Sequence, residues 1–187
     1  MENYTLSFIA GFISMIWVVM SYFVSEKKFY LILQSLAIIF LILSYLFISK
    51  FFAMIGMIVG LVRAITFFVY ENKDKLAPLW LSFLFSALTL LAYVIVNVLI
   101  LKDYGILDIL YLIALVFYAF TFRIRNLSVL RLITIIPTGL SVIYGFGINA
   151  TAFVIVAYIF EFSANLLAIA QQDLLPKYKS KQQAKNN

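Results

Sequence analysis

Three residues carry the chemistry in this sequence. Glu161 and Asn165 lie in the apolar stretch 149–171, and Arg63 lies in the stretch 51–70. Glu161 and Asn165 are four positions apart, which puts both on one face of a helix. A charged side chain at bilayer depth costs at least ~2.5–3.5 kcal/mol, so it marks a functional site by default. Arg63 would stand about one helical turn from the depth of Glu161, close enough for its side chain to reach. The pair is expected either to form an intramembrane ion pair or to face each other across one polar cavity. The alternative has Arg63 extending to the headgroups and Glu161 protonated or bonded to Asn165 or a serine.

The rest of the catalytic inventory is thin. The chain has no histidine and no cysteine. That removes the commonest metal ligand, thiolate chemistry and disulfides. Carboxylates are not clustered, so no metal, no cofactor and no enzymatic activity are expected.

These residues must be positioned by membrane helices. Of 187 residues, 65% are hydrophobic and 12% charged, with a mean hydropathy of +1.08. The expectation is an all-α integral membrane protein with a single domain over 1–172 and a basic tail over 173–187. Seven spans are read: Tyr4–Val24, Phe29–Ile48, Phe51–Tyr70, Leu76–Leu101, Ile106–Phe122, Leu127–Tyr144 and Asn149–Gln171. The first lacks the Lys or Arg of a signal-peptide n-region. A single helix across 29–70 would be about 60 Å long, twice what a bilayer needs, so Ser49-Lys50 is a break.

Of the 14 basic residues, all but Lys50 and Lys102 fall on one side of this plan. The positive-inside rule then puts the N-terminus outside and the C-terminus in the cytoplasm. The net charge of +6 thus reports topology, and no nucleic-acid partner is expected. The partner is the lipid bilayer, the tail being a solvated topology determinant or a contact for anionic headgroups.

The spans group as three, one, three: 4–70, a linker helix over 76–101, and 106–171. Gly56, Gly60 and Arg63 repeat the i, i+4, i+7 spacing of Glu161, Asn165 and Ala168 at a shift of 105. A parallel repeat of this kind places a substrate path between its halves. Ser82, Ser86, Thr89, Tyr93 and Asn97 form a polar stripe that should face protein and bond neighbouring helices. Ser7, Gly11, Ser14 and Ser21 form a second. Pro137 should kink the sixth span, with Thr138 and Ser141 serving the freed carbonyls. Tyr144, Tyr158, Trp17, Tyr118 and Asn97 are candidates for lining a cavity, although membrane aromatics mostly anchor the interface.

The stretch Gly60-Leu-Val-Arg63-Ala-Ile-Thr-Phe-Phe68 resembles the arginine motif of the YgjV-type bacterial inner-membrane proteins. So do Leu127-Ser-Val-Leu-Arg131, Tyr144-Gly-Phe-Gly147, and Glu161 followed by Asn165. The resemblance covers about residues 8 to 172. One departure is Gly60, where the family pattern carries asparagine. The resemblance implies the bacterial cytoplasmic membrane and distant kinship with the SWEET and PnuC transporters, which share the three-one-three plan. The first and fifth spans lack proline, so the SWEET hinge is missing.

Two functions follow from these readings. One is a small-solute transporter or facilitator, for an unidentified polar or aromatic solute, with a path between the halves. The other is a non-transporting scaffold or subunit with a sealed bundle.

Overall fold

The computed structural model describes residues 2–102, 105–148, 150, 152–168 and 170. The tail beyond 170 and its basic residues lie outside them. Among the described residues the helices are joined by short turns, with no strand. The helices are α1 (Glu2–Phe23), α2 (Lys27–Phe47), α3 (Phe51–Asn72), α4 (Leu79–Tyr93, continued by a π-helical stretch Val94–Leu101), α5 (Ile106–Thr121), α6 (Leu127–Gly147) and α7 (Ala152–Ala168). The first four, with the π stretch counted in α4, and α6 are long and apolar enough to cross a membrane. Helices α5 and α7, of 16 and 17 residues, are shorter.

The outer surface suits lipid. Trp80, Phe83, Leu99, Ile100 and Leu132 are each more than half exposed. The interior holds polar side chains, among them Ser14, Ser44, Thr134, Asn165, Arg63 and Arg131. A soluble protein would invert that arrangement. The bundle is therefore embedded in a membrane.

Helices pack in sequence, α1 on α2, α2 on α3, α5 on α6 and α6 on α7. Extensive contact between α1 and α7 and lighter contact between α3 and α5 close the ring, with α4 against α3 and α5. The small-residue stripe of α1 binds α2 as expected. Ser7 and Ser44 hydroxyls meet at 2.8 Å, Ser14 donates to the Ala37 carbonyl at 2.9 Å, and Gln34 donates to Ser21 at 2.9 Å. On α4, Ser82, Thr89 and Asn97 are buried, so the stripe does face protein. Its hydroxyls do not bond across helices, however. Ser86 and Thr89 donate to the Ser82 and Phe85 carbonyls of their own helix, one turn back.

Helix α6 runs through Pro137 without a break. Thr134, Thr138 and Ser141 donate to the carbonyls of Leu130, Thr134 and Pro137. The carbonyl that Pro137 frees is that of Ile133, four residues back. The expected rescue by Thr138 and Ser141 thus goes to neighbouring carbonyls instead.

Burial in the second part of the chain repeats burial in the first. Every buried residue of α6, from Leu130 to Gly145, stands 100 positions after a buried residue of α2, from Tyr30 to Tyr45. The helix ends follow the same shift. Lys50 N–H donates to Tyr45 O at 3.0 Å and Ala150 N–H to Gly145 O at 3.1 Å, a six-residue closing bond in both. At the starts, Tyr30 N–H reaches Glu26 O as Leu130 N–H reaches Asn126 O. On α7 the buried residues Val154, Tyr158, Glu161, Ala164 and Asn165 stand 101 positions after Ala53, Met57, Gly60, Arg63 and Ala64, all buried on α3. The expected shift of 105 is therefore wrong by one turn. Glu161 corresponds to Gly60, and Asn165 to Ala64. Turn length explains the slip: four residues return to the same helical face, so a pattern read from three residues cannot tell 101 from 105.

Candidate functional site

Glu161 sits midway along α7, about 14 Å from its start, and is 6% exposed. Tyr22 of α1 donates to its Oε1 at 3.0 Å. Tyr118 of α5 lies 3.5 Å from the same oxygen and 3.0 Å from the Thr138 hydroxyl. Thr138 gives its own proton to the Thr134 carbonyl at 2.8 Å, so it accepts from Tyr118. Tyr118 has one proton to give. Glu161 is therefore held closely by Tyr22, with Tyr118 a second, longer donor whose proton Thr138 also attracts, and no cation stands within ion-pair distance among the described residues.

Arg63 of α3 is 3% exposed. Its Nη1 donates to the Leu115 carbonyl at 3.0 Å. The guanidinium carbon lies 5.0 Å from the Phe122 ring centre and 5.8 Å from that of Tyr118, within cation–π range. Its Nε is buried without a partner. The expected direct pairing of Arg63 with Glu161 is absent, because Tyr118 stands between them, ring toward the arginine and hydroxyl toward the acid.

The two residues do line one cavity, of about 40 Å³. That volume holds about three waters. Its wall includes Gln34, Ser141 and Tyr158. Several lining positions answer one another at the shifts seen in burial: Val18 and Tyr118, Leu41 and Ser141, Met57 and Tyr158, Gly60 and Glu161. In each pair the first part of the chain gives an apolar or minimal residue and the second a polar one. Arg63 and Gln34 are the polar residues that the first part adds.

Two aromatic layers flank the cavity. On one side the Tyr45 and Tyr158 hydroxyls meet at 2.5 Å, Tyr111 stacks on Tyr144 at 4.2 Å, and Phe52 abuts Tyr111 edge-on at 6.0 Å. On the other, Tyr30 packs edge-on against Tyr22 and Phe122, at 5.6 and 6.1 Å. Beyond the first layer a separate pocket of about 360 Å³ is lined by Lys50, Asn97, Asp108 and Tyr144 among others.

No described protein family, characterised protein or solved structure matches the chain.

Of the candidate lining residues, Tyr118 and Tyr158 face the cavity. Tyr144 and Asn97 line the outer pocket instead. Trp17 is half-buried against the core and lines neither. Asn165 is fully buried, but its amide donates to the Arg131 carbonyl at 2.8 Å, tying α7 to α6. It braces the site from outside the cavity. Gln34, Ser141 and Tyr22 were missed. Gln34 was legible, being the one amide in an otherwise apolar span, and Tyr22 was hidden among twelve tyrosines.

Proposed function

We propose that this membrane protein is a small-solute transporter or facilitator whose path runs between two three-helix halves, α1–α3 and α5–α7, with α4 as linker. The N-terminus lies outside and the C-terminus in the cytoplasm, in the cytoplasmic membrane of a bacterium, as the YgjV-type resemblance implies. The carrying observation is the cavity at the meeting of the halves, largely apolar in lining, lined from both by corresponding positions and holding an arginine and a carboxylate that do not pair. Polar residues kept only to join helices would be paired with each other. A solute path needs them unpaired and reachable. The aromatic layers that flank the cavity serve as its gates, and rocking of one half against the other opens each layer in turn.

Purified protein in liposomes tests this by uptake of labelled solutes against empty vesicles. Saturable uptake supports transport. Vesicles as tight as empty ones to every solute class favour the second reading, a sealed scaffold. That reading draws on the small volume of the cavity, about 40 Å³.

A further inference from the structure

The guanidinium of Arg63 has two faces and three edges, and most are spoken for. The rings of Phe122 and Tyr118 lie over it. Nη1 is bound to the Leu115 carbonyl. The remaining edge is the one shared by Nε and Nη2, the fork that binds carboxylates and other planar oxyanions with two parallel hydrogen bonds. Nε is buried and has no acceptor, and Nη2 makes no hydrogen bond among the described residues. Gly60 keeps the approach open, since a side chain there would begin 3.5 Å from Nη2. Both Gly60 and Arg63 line the cavity.

We propose that the Nε–Nη2 edge of Arg63 binds a compact planar oxyanion, the size of nitrate or formate, together with a proton on Glu161. Size favours a compact ligand: space for about three waters suits three or four heavy atoms. Charge sets the companion. An ionised Glu161 on the same cavity would repel the anion. A protonated Glu161 removes the repulsion and gains a proton to donate into the cavity. The proton moves from bulk water to a Glu161 carboxylate oxygen, with no bond to carbon made or broken. Glu161 is suited to that exchange because only phenol hydroxyls hold it, Tyr22 at 3.0 Å and Tyr118 at 3.5 Å, and no cation does. The groups around it offer no competing cation: Tyr22 on α1, Tyr30 and Tyr45 on α2, Tyr118 on α5 and Tyr158 on its own helix are phenols, and Thr138 on α6 is a hydroxyl. Arg63 on α3 is separated from it by Tyr118. Arg131 of α6, whose Nη2 donates to the Val24 carbonyl, stands beside Tyr30. By reciprocity, proton and anion raise each other's affinity.

As a claim about coupled transport this rests on the proposed function, while the binding site rests on Arg63 alone. The test has two arms on the full-length protein. In the first, thermal unfolding is followed against millimolar nitrate and formate at constant ionic strength, from pH 6 to pH 8.5. Both ions keep their charge over that range, so any pH dependence belongs to the protein. Expected are a saturable stabilisation, an affinity that weakens by up to about tenfold per pH unit on the alkaline side, and no effect of an uncharged amide of the same size. Glu161→Gln should bind the anion without pH dependence. Arg63→Gln should lose it, and Arg63→Lys, which keeps charge without the fork, should bind at least about tenfold more weakly. Binding that persists in Arg63→Gln, or that ignores pH in the unmodified protein, overturns the inference. In the second arm, nitrate uptake into liposomes is measured with an internal pH dye. Binding without flux would leave the site and remove the transport reading. Flux of other solutes without nitrate or formate binding would do the reverse.

Discussion

The hydroxyls of Tyr45 on α2 and Tyr158 on α7 meet at 2.5 Å, directly above the cavity that Tyr158 lines. Gly145, the counterpart of Tyr45, packs beside the Tyr158 ring. A Cβ on Gly145 would stand 3.4 Å from that ring. Removing either hydroxyl removes one hydrogen bond and leaves the other hydroxyl buried. Tyr45→Phe and Tyr158→Phe should each cost about 1–2 kcal/mol, and the double variant little more than one alone. Urea or thermal unfolding in a double-mutant cycle measures this, and strict additivity would mean the contact does not bind the helices.

Gly60→Glu puts a carboxylate one turn before Arg63 on the same helical face. The Cβ fits at ordinary contact distance from Nη2. The protein should fold and its response to nitrate should vanish, because the new acid occupies the open edge. A retained nitrate-induced shift in melting temperature would place the anion elsewhere.

Lys27 and Glu71 form a 2.9 Å ion pair between α2 and α3, with side chains 5% and 18% exposed. Glu71→Gln leaves the lysine charge buried without its partner and should destabilise by about 3 kcal/mol. Replacing both, Lys27→Met with Glu71→Leu, should recover most of that loss. Unfolding midpoints of the three variants decide, and a harmless Glu71→Gln would show that water reaches the lysine.

Asn126 caps α6, its Oδ1 accepting from the N–H groups of Ser128 and Val129 at 3.0 and 3.3 Å. Asn126→Ala should cost about 1 kcal/mol, and Asn126→Asp should cost much less. Thermal unfolding of both variants measures the difference, and equal losses would mean that the cap is not the stabilising contact.

The native chain has no cysteine, so single cysteines report topology cleanly. Ser49→Cys should react with an impermeant maleimide added outside cells, and Asn126→Cys only after the cells are broken. The opposite result would reverse the orientation given by the lysines and arginines.

Helix number and boundaries were largely legible in the sequence, because apolar length and charged punctuation are local properties. Ser7, Ser14 and Ser21 were legible as helix glue for the same reason: their spacing already marks a face. The cavity was only partly legible. Glu161 and Arg63 stand out as charges in apolar sequence, but their separation by Tyr118 depends on where an ordinary-looking tyrosine from a third helix arrives. The bond from Asn165 to the Arg131 carbonyl was hidden for another reason. Its acceptor is backbone, and backbone groups look alike in every residue. The register between α3 and α7 failed by one turn because periodicity fixes a face and leaves depth open.

Gly11 and Tyr111, Tyr45 and Gly145, and Gly60 and Glu161 occupy matching buried positions, each pairing the smallest residue with a large one. Two identical three-helix units would carry the same residue at both positions of every such pair. Joining the units in one polypeptide lets unlike residues share the centre. A site with twofold symmetry accepts its ligand in two equivalent poses, whereas this one, with a guanidinium on one wall and a carboxyl on the other, admits a single orientation.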